Sequence, residues 1–187
     1  STLVGGFYAQ SEALDAVIYA ARKEAGEDTW KRGFSGNSAK GATAIAKRHL
    51  KAANIQPVTV SGRLVHVGFV QNQDATGNVY PKLRVGVEAD NGDRMMLSLD
   101  MKSDVAQRLI VKLDNCFPDQ YVTISAWPTT VERSGRLFIN HALSMKDFNG
   151  KEIPSNSEFS QTVKSKCAEI EPLMVSNGLT DKKIIAT

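Results

Sequence analysis

Hydrophobic and polar positions divide the chain into three stretches of different period. Between residues 11 and 25 the apolar side chains Ala13, Leu14, Val17, Ile18 and Ala21 recur at helical spacing. Ser11 suits the N-cap of that helix and Gly26 its stop. Residues 27–42 are rich in Gly and Ser and predict a loop. A second helix is expected over residues 42–53, ending before Pro57. Its Ile45, Ala46, His49 and Leu50 would face a core, leaving Lys47, Arg48 and Lys51 toward water or a ligand.

From Val58 the helical period gives way to alternation. Residues 58–70 form a long β-rich run with Gly62 and Gly68 inside it, and interior glycines suggest a bulge or a sharp bend. Residues 71–78 are a polar turn region, and 79–88 alternate with Val79, Pro81, Leu83, Val85 and Val87 on one face. Asn91-Gly92 marks a tight hairpin, and a strand follows over 94–99. A helix capped by Ser103 or Asp104 comes next, with Val105, Leu109 and Leu113 four apart. Residues 121–127 and 136–144 are two further strands around a Ser134-Gly135 turn. Beyond Gly150, residues 157–171 read as a helix with Phe159, Val163, Cys167 and Ile170 along one side. The final stretch, 176–187, is a strap or a tail.

The chain is thus expected to be mainly β with flanking helices. Three units are drawn: an N-terminal helical and basic extension (1–57), a five-stranded unit (58–148), and a C-terminal helix and tail packing on it (149–187). The order of the middle unit is a long bent strand, a hairpin, a helix and two more strands. It resembles the OB-fold, a five-stranded partly open barrel with a helix between its third and fourth strands. A split α+β sheet is the structural rival.

Composition adds limits more than answers. With 42% hydrophobic and 23% charged residues, 187 residues can bury a real core. The net charge of +3 demands no anionic partner by itself. Cys116 and Cys167 lie in no metal-ligand spacing, and reduced, packed thiols suit an intracellular compartment. No apolar run approaches the roughly 20 residues a membrane helix needs. The opening residues carry neither a basic leader nor a secretory apolar core. A soluble, cytoplasmic protein is the expectation.

Charge placement says more than net charge. Between Thr29 and Gln73 stand seven basic side chains, Lys31, Arg32, Lys40, Lys47, Arg48, Lys51 and Arg63, without one Asp or Glu. At the chain's average such a stretch would hold about five acids. Aromatics and glycines interleave at its start, where Trp30, Lys31, Arg32, Gly33 and Phe34 are consecutive. Cations neutralise phosphates and flat rings stack on bases, although a solvated basic face accounts equally for the charge. Trp30 is either a stacking platform or an anchor docked on the β unit. Lys31, Arg32 and Lys40 remain available for phosphates in both cases.

Alternation sharpens the second candidate surface. If Leu83, Val85 and Val87 point inward, Tyr80, Lys82 and Arg84 project together from the opposite face. Arg94, Met96 and Ser98 fall on the outer face of the adjoining strand, and Arg136 and Phe138 share a face of the last one. Tyr121, Trp127 and Phe138 are equally explained by cross-strand packing. The basic stretch and the Tyr80 strand are expected to form one groove.

Enzymatic patterns are missing. His49, His66 and His141 lie in separate elements without zinc-ligand spacing, and neither a P-loop nor a Gly-x-Ser-x-Gly elbow occurs. The carboxylates Glu88, Asp90, Asp93 and Asp100 gather around one hairpin, which leaves metal-dependent hydrolysis as a remote alternative. No catalytic residue, cofactor or metal is expected.

Within its fold class the chain looks like the single-stranded DNA-binding proteins of bacteriophages. That resemblance implies sequence-tolerant binding to single-stranded DNA in replication, recombination or repair, with replication proteins as further partners. Phosphates would be met by Lys31, Arg32, Lys40, Arg63, Lys82 and Arg84, and bases would stack on Tyr80, Trp30 and Trp127, with Phe34, Arg94 and Arg136 as further nucleic-acid-binding residues. Many such proteins end in an acidic tail, whereas this sequence closes on Asp181-Lys182-Lys183-Ile184-Ile185-Ala186-Thr187. An RNA-binding module and a non-catalytic barrel for protein contact are the alternatives, since nothing here reads a 2′-hydroxyl.

Overall fold

The computed structural model describes residues 3–31, 41–73, 79–101, 103–133, 136–159, 161–162 and 165. After a 3-10 turn at Leu3–Gly5 come helices α1 (Glu12–Ala25), α2 (Glu27–Lys31) and α3 (Ala42–Ala52). Strands β1 (Val60–Gln73), β2 (Val79–Glu88) and β3 (Arg94–Asp100) follow, then helix α4 (Asp104–Leu113) and strands β4 (Tyr121–Arg133) and β5 (Arg136–Asp147).

The helices begin and end where local chemistry directs. Ser11 Oγ accepts the Leu14 N–H at the start of α1, and Gly26 closes it with an N–H donated to Arg22 O. Ser103 Oγ does the same for Ala106 N–H at α4. The region read as a loop from residue 27 instead starts with a helical turn, α2. Glu27 and Asp28 suit its positive N-terminal end, and Arg22 holds Glu27 by two hydrogen bonds of 2.7 and 2.9 Å. Trp30 then reaches the apolar cluster made by Val4, Leu14, Ala21, Ile45, Ala46 and Leu50. Glu24 clamps α1 to α3 by accepting from Arg48 and pairing with His49 Nε2 at 2.7 Å. Arg48 is therefore engaged within the protein.

The five strands form one antiparallel sheet in the order β3-β2-β1-β4-β5. β1 is long enough to serve two neighbours. Its first residues, Val60 to Arg63, pair with β4, and Arg63 to Gln73 pair with β2. Among the described residues no ladder joins β3 to β5, so the expected closure into a barrel is not made by strand pairing and the sheet is open. Strands β4 and β5 also run further than their apolar alternation indicated, to Arg133 and Asp147.

Gly62 explains how β1 can hold two partners. At φ 150° it lies so close to the end of β2 that a Cβ would sit 2.2 Å from Glu88 O. The expected bulge falls three residues later, at Val65, between the Leu64 and His66 pairs. Gly68 stays in regular register opposite Arg84.

The main core lies on one face of the sheet. Leu83, Val85 and Val87 of β2, Leu97 and Leu99 of β3, and Val122 and Ile124 of β4 are buried against Val105, Ala106 and Leu109 of α4. Full burial of such a side chain contributes about 1.5–3 kcal/mol. Lys112, on the last turn of α4, is buried and donates to Glu152 Oε1 at 2.7 Å and Ile153 O at 2.6 Å. These bonds tie the segment after β5 across α4. That segment turns helical at 157, with Asn156 Oδ1 accepting the Phe159 N–H. Val163, Cys167, Ile170 and the stretch 176–187 lie outside the described residues.

The helical cluster meets the sheet mainly through the Leu3–Gly5 turn, which touches α3, β4 and β5. Val4 belongs to the helical cluster and Phe7 to the sheet core, so a few residues bridge the two. Phe7 O accepts the Val58 N–H at 2.8 Å just before β1. No described helix is long and apolar enough to cross a membrane.

Candidate nucleic-acid interface

The face of β1, β2 and β3 opposite the core is organised in ladder rows. Lys82 stands between Val70 and Asp100, Arg84 between Gly68 and Ser98, Gly86 between His66 and Met96, and Glu88 between Arg63 and Arg94. Alternation places these rows as expected, because Leu83, Val85 and Val87 take the inner face. Tyr80 pairs with Asn72 in the same series, and its side chain lies outside the described residues.

Lys82 and Arg84 are half-buried cations two residues apart, without an ion pair among the described residues. Arg84 Nε is buried and has no hydrogen-bond partner among them. A buried donor without a partner costs free energy until an acceptor reaches it.

Arg63 and Arg94 are not free in the same sense. Arg63 donates to Glu88 Oε1 at 2.5 Å and Arg94 Nε to Oε2 at 3.0 Å, across three adjacent strands. The triad retains one net positive charge. The hydrogen bond from Arg94, together with the charges of both guanidiniums, holds the Glu88 carboxyl below the usual carboxylate range, against a partial desolvation that pulls it up. Glu24 is lowered in the same direction by its hydrogen bonds from Arg48 and His49.

Both carboxylates therefore contribute stability that is complete above the ordinary glutamate pKa of about 4.3 and is lost as pH falls through their depressed folded values. The contribution of these two pairs to the urea midpoint is expected to fall on acidification below that pH, by a modest amount because the pairs are solvent-screened. Glu88→Gln and Glu24→Gln together should flatten this part of the profile. An unchanged acid limb in the double variant contradicts the assignment.

Trp127 is 44% exposed on β4, on the same side of the sheet as Thr123, whose hydroxyl bonds Ser61 on β1. Arg136 pairs with Arg133 at the far end of the β4–β5 hairpin, and its side chain is not described. Trp30 is partly buried in the helical cluster, which takes the anchor alternative in a modified form: it docks on α1 and α3. Lys31 has only its backbone described, and Arg32, Phe34 and Lys40 lie outside the described residues. The helical cluster reaches the sheet at β4 and β5, whereas Lys82 and Arg84 lie beyond β1 from there. The expected single groove is not assembled by the described residues.

Two features of this face have no counterpart in the sequence pattern: the carboxylate at the centre of the arginine triad, and His66, which lies beside Gly86 across from the Met96 that alternation places there. A third lies on the opposite face, where β1 has parted from β4. A groove of about 430 Å³ opens there, its walls including Val65, Val67, Phe69, Leu113, Phe117 and Phe159. Phe69 and Phe117 are 65% and 75% exposed. Cys116 is half-buried in its wall, and burial pushes its thiol pKa up. Among the described residues no three His, Cys, Asp or Glu side chains converge as metal ligands. No protein-family model matches the chain, and no curated protein matches it either.

Proposed function

We propose that this chain is a sequence-tolerant single-stranded DNA-binding protein of the OB-fold type, like those of bacteriophages, serving replication, recombination or repair. The observation that carries the reading is the pair Lys82 and Arg84, side by side on the outer face of β2 with no ion-pair partner among the described residues. A β-sheet face with ordered cations suits an extended backbone, whose phosphates recur at regular intervals. The exposed Trp127 on the same side offers an aromatic surface for bases. The element order, with α4 plugging the core between β3 and β4, supports the OB-type assignment although the sheet is open.

In this reading the protein binds and does not catalyse. Lys82 and Arg84 neutralise phosphates, the Arg63–Glu88–Arg94 triad presents a single fixed positive charge, and bases stack against exposed rings. Preference for DNA over RNA rests on the family resemblance alone.

Titration with oligo-dT, oligo-U and duplex DNA, followed by tryptophan fluorescence, tests the proposal. Oligo-dT is expected to change the emission of Trp127, and duplex DNA to leave it unaltered. Equal binding of oligo-U moves the assignment to the RNA-binding alternative. No response to any nucleic acid at low salt removes both and favours a protein-contact role, to which the exposed apolar groove beside Phe69 and Phe117 then points.

A further inference from the structure

Between the Lys82 and Arg84 pair and the arginine triad the outer face has a depression of about 330 Å³. Val65, His66, Gly86, Arg94 and Met96 line it. Its origin is local. The bulge at Val65 resets β1 so that His66 returns to the outer face opposite Gly86. Gly86 itself has Met96 as its partner on β3. A Cβ at Gly86 would lie 2.9 Å from the His66 Cβ and 3.4 Å from the Met96 methyl. The middle strand is therefore bare where its two neighbours carry an imidazole and a thioether.

We infer that this depression is a nucleobase site, taking one base of the bound strand between the His66 and Met96 side chains; the inference rests on the single-strand reading above. Three observations favour a base over another ligand. The walls combine an aromatic ring with a polarizable thioether, both of which pack well against flat π-systems. Met96 is 52% exposed and stands outside the core, so its side chain can rearrange over a ring. Arg94 forms one rim and is held in place by Glu88, giving a fixed guanidinium edge for a base carbonyl or the face of a ring.

The position also fits a strand already held by its phosphates. Lys82, Arg84 and Gly86 succeed one another at two-residue steps on β2, so the depression is the next position along the same line. His66 contributes to the floor as well, since its Nε2 lies 2.8 Å from where a Cβ on Gly68 would be. Larger residues at 68 and 86 would displace the imidazole and close the site.

The test compares oligo-dT with an abasic strand of equal length, which keeps the phosphates and lacks the bases. His66→Ala and Met96→Ala are each expected to weaken oligo-dT binding about fivefold or more, within the range for loss of one stacked base, and to leave abasic-strand binding unchanged. Lys82→Ala should weaken both. Thermal unfolding of the two variants close to that of the unaltered protein excludes a folding defect as the cause.

If Lys82→Ala lowers affinity while His66→Ala and Met96→Ala leave oligo-dT affinity intact, the base site is wrong and the single-strand reading stands. Equal losses on both strands also overturn it, because the side chains then act through the fold or the charge. If the unaltered protein binds neither strand, the underlying reading fails first.

Discussion

Replacing Gly62 by Ala is expected to destabilise the protein by about 2–4 kcal/mol. Two causes add. The residue sits at φ 150°, where a side chain is strained, and its new Cβ would lie 2.2 Å from Glu88 O and 2.7 Å from Glu88 C. Backbone atoms of a paired strand cannot swing aside as a flexible side chain can. Relief would require β1 to move away from the end of β2, disturbing the pairs of Leu64 with Val87 and of Gly62 with Val122.

Gly92→Ala is the natural comparison. Gly92 also has a positive φ, of 85°, but nothing lies within 4 Å of its would-be Cβ. Strain alone should cost about 1 kcal/mol there. Urea unfolding of both variants measures the difference, and equal losses would show that the close approach to Glu88 contributes nothing.

The second large effect concerns binding. Changing Lys82 and Arg84 together to Ala is expected to lower oligo-dT affinity at low salt at least about tenfold. The salt dependence should also become shallower by about 1.4 in log-log slope, or about 0.7 for each phosphate no longer neutralised. Changing Arg94 alone should alter the slope less, because Glu88 already takes part of its charge. Trp30→Ala belongs to another class: it should loosen the α1–α3 cluster and leave the slope unaltered. A slope in the Lys82 and Arg84 double variant equal to that of the unaltered protein would remove these two residues from the interface.

Features set by neighbours in sequence are legible in advance. The Ser11 and Ser103 caps, the stop at Gly26 and the alternation of Leu83, Val85 and Val87 are all governed by residues within one or two turns. So is the common face of Lys82 and Arg84, which follows from the two-residue period alone.

Features set by distant pairings are hidden. Glu88 reads in sequence as one of the solvated acids of a hairpin, because nothing local shows that β1 will bring Arg63 to one side of it and β3 will bring Arg94 to the other. The bulge at Val65 carries no glycine and gives no signal, yet it decides that His66 shares a face with Arg84. The sheet is open because no ladder joins β3 to β5 among the described residues, and the groove beside Phe69 lies where β1 has left β4, after Arg63; neither is signalled locally. Trp30 is ambiguous in sequence for a related reason. Its Gly- and Ser-rich context indicates a loop, and the α1–α3 cluster that captures it is built from residues on both sides.

From the acid-free stretch the sequence singles out Lys31, Arg32, Lys40 and Arg63 for phosphates, beside Lys82 and Arg84 of β2. Among the described members, Lys47 and Lys51 stay exposed on α3, while Arg48 is engaged by Glu24 and Arg63 by Glu88; on the outer face of β1, β2 and β3 the electrostatic weight therefore falls on Lys82 and Arg84, outside that stretch. The carboxylates that balance these arginines come from α1 and β2, elements flanking the stretch in sequence and adjoining it in space.

The central claim is that the outer face of β1, β2 and β3 holds the phosphates of a single strand, and the salt dependence of oligo-dT binding tests it most directly. A straight fall in log affinity against log salt, with a slope of about −1.4 or steeper, is the predicted result. Affinity that does not change with salt, or no binding at low salt, contradicts it.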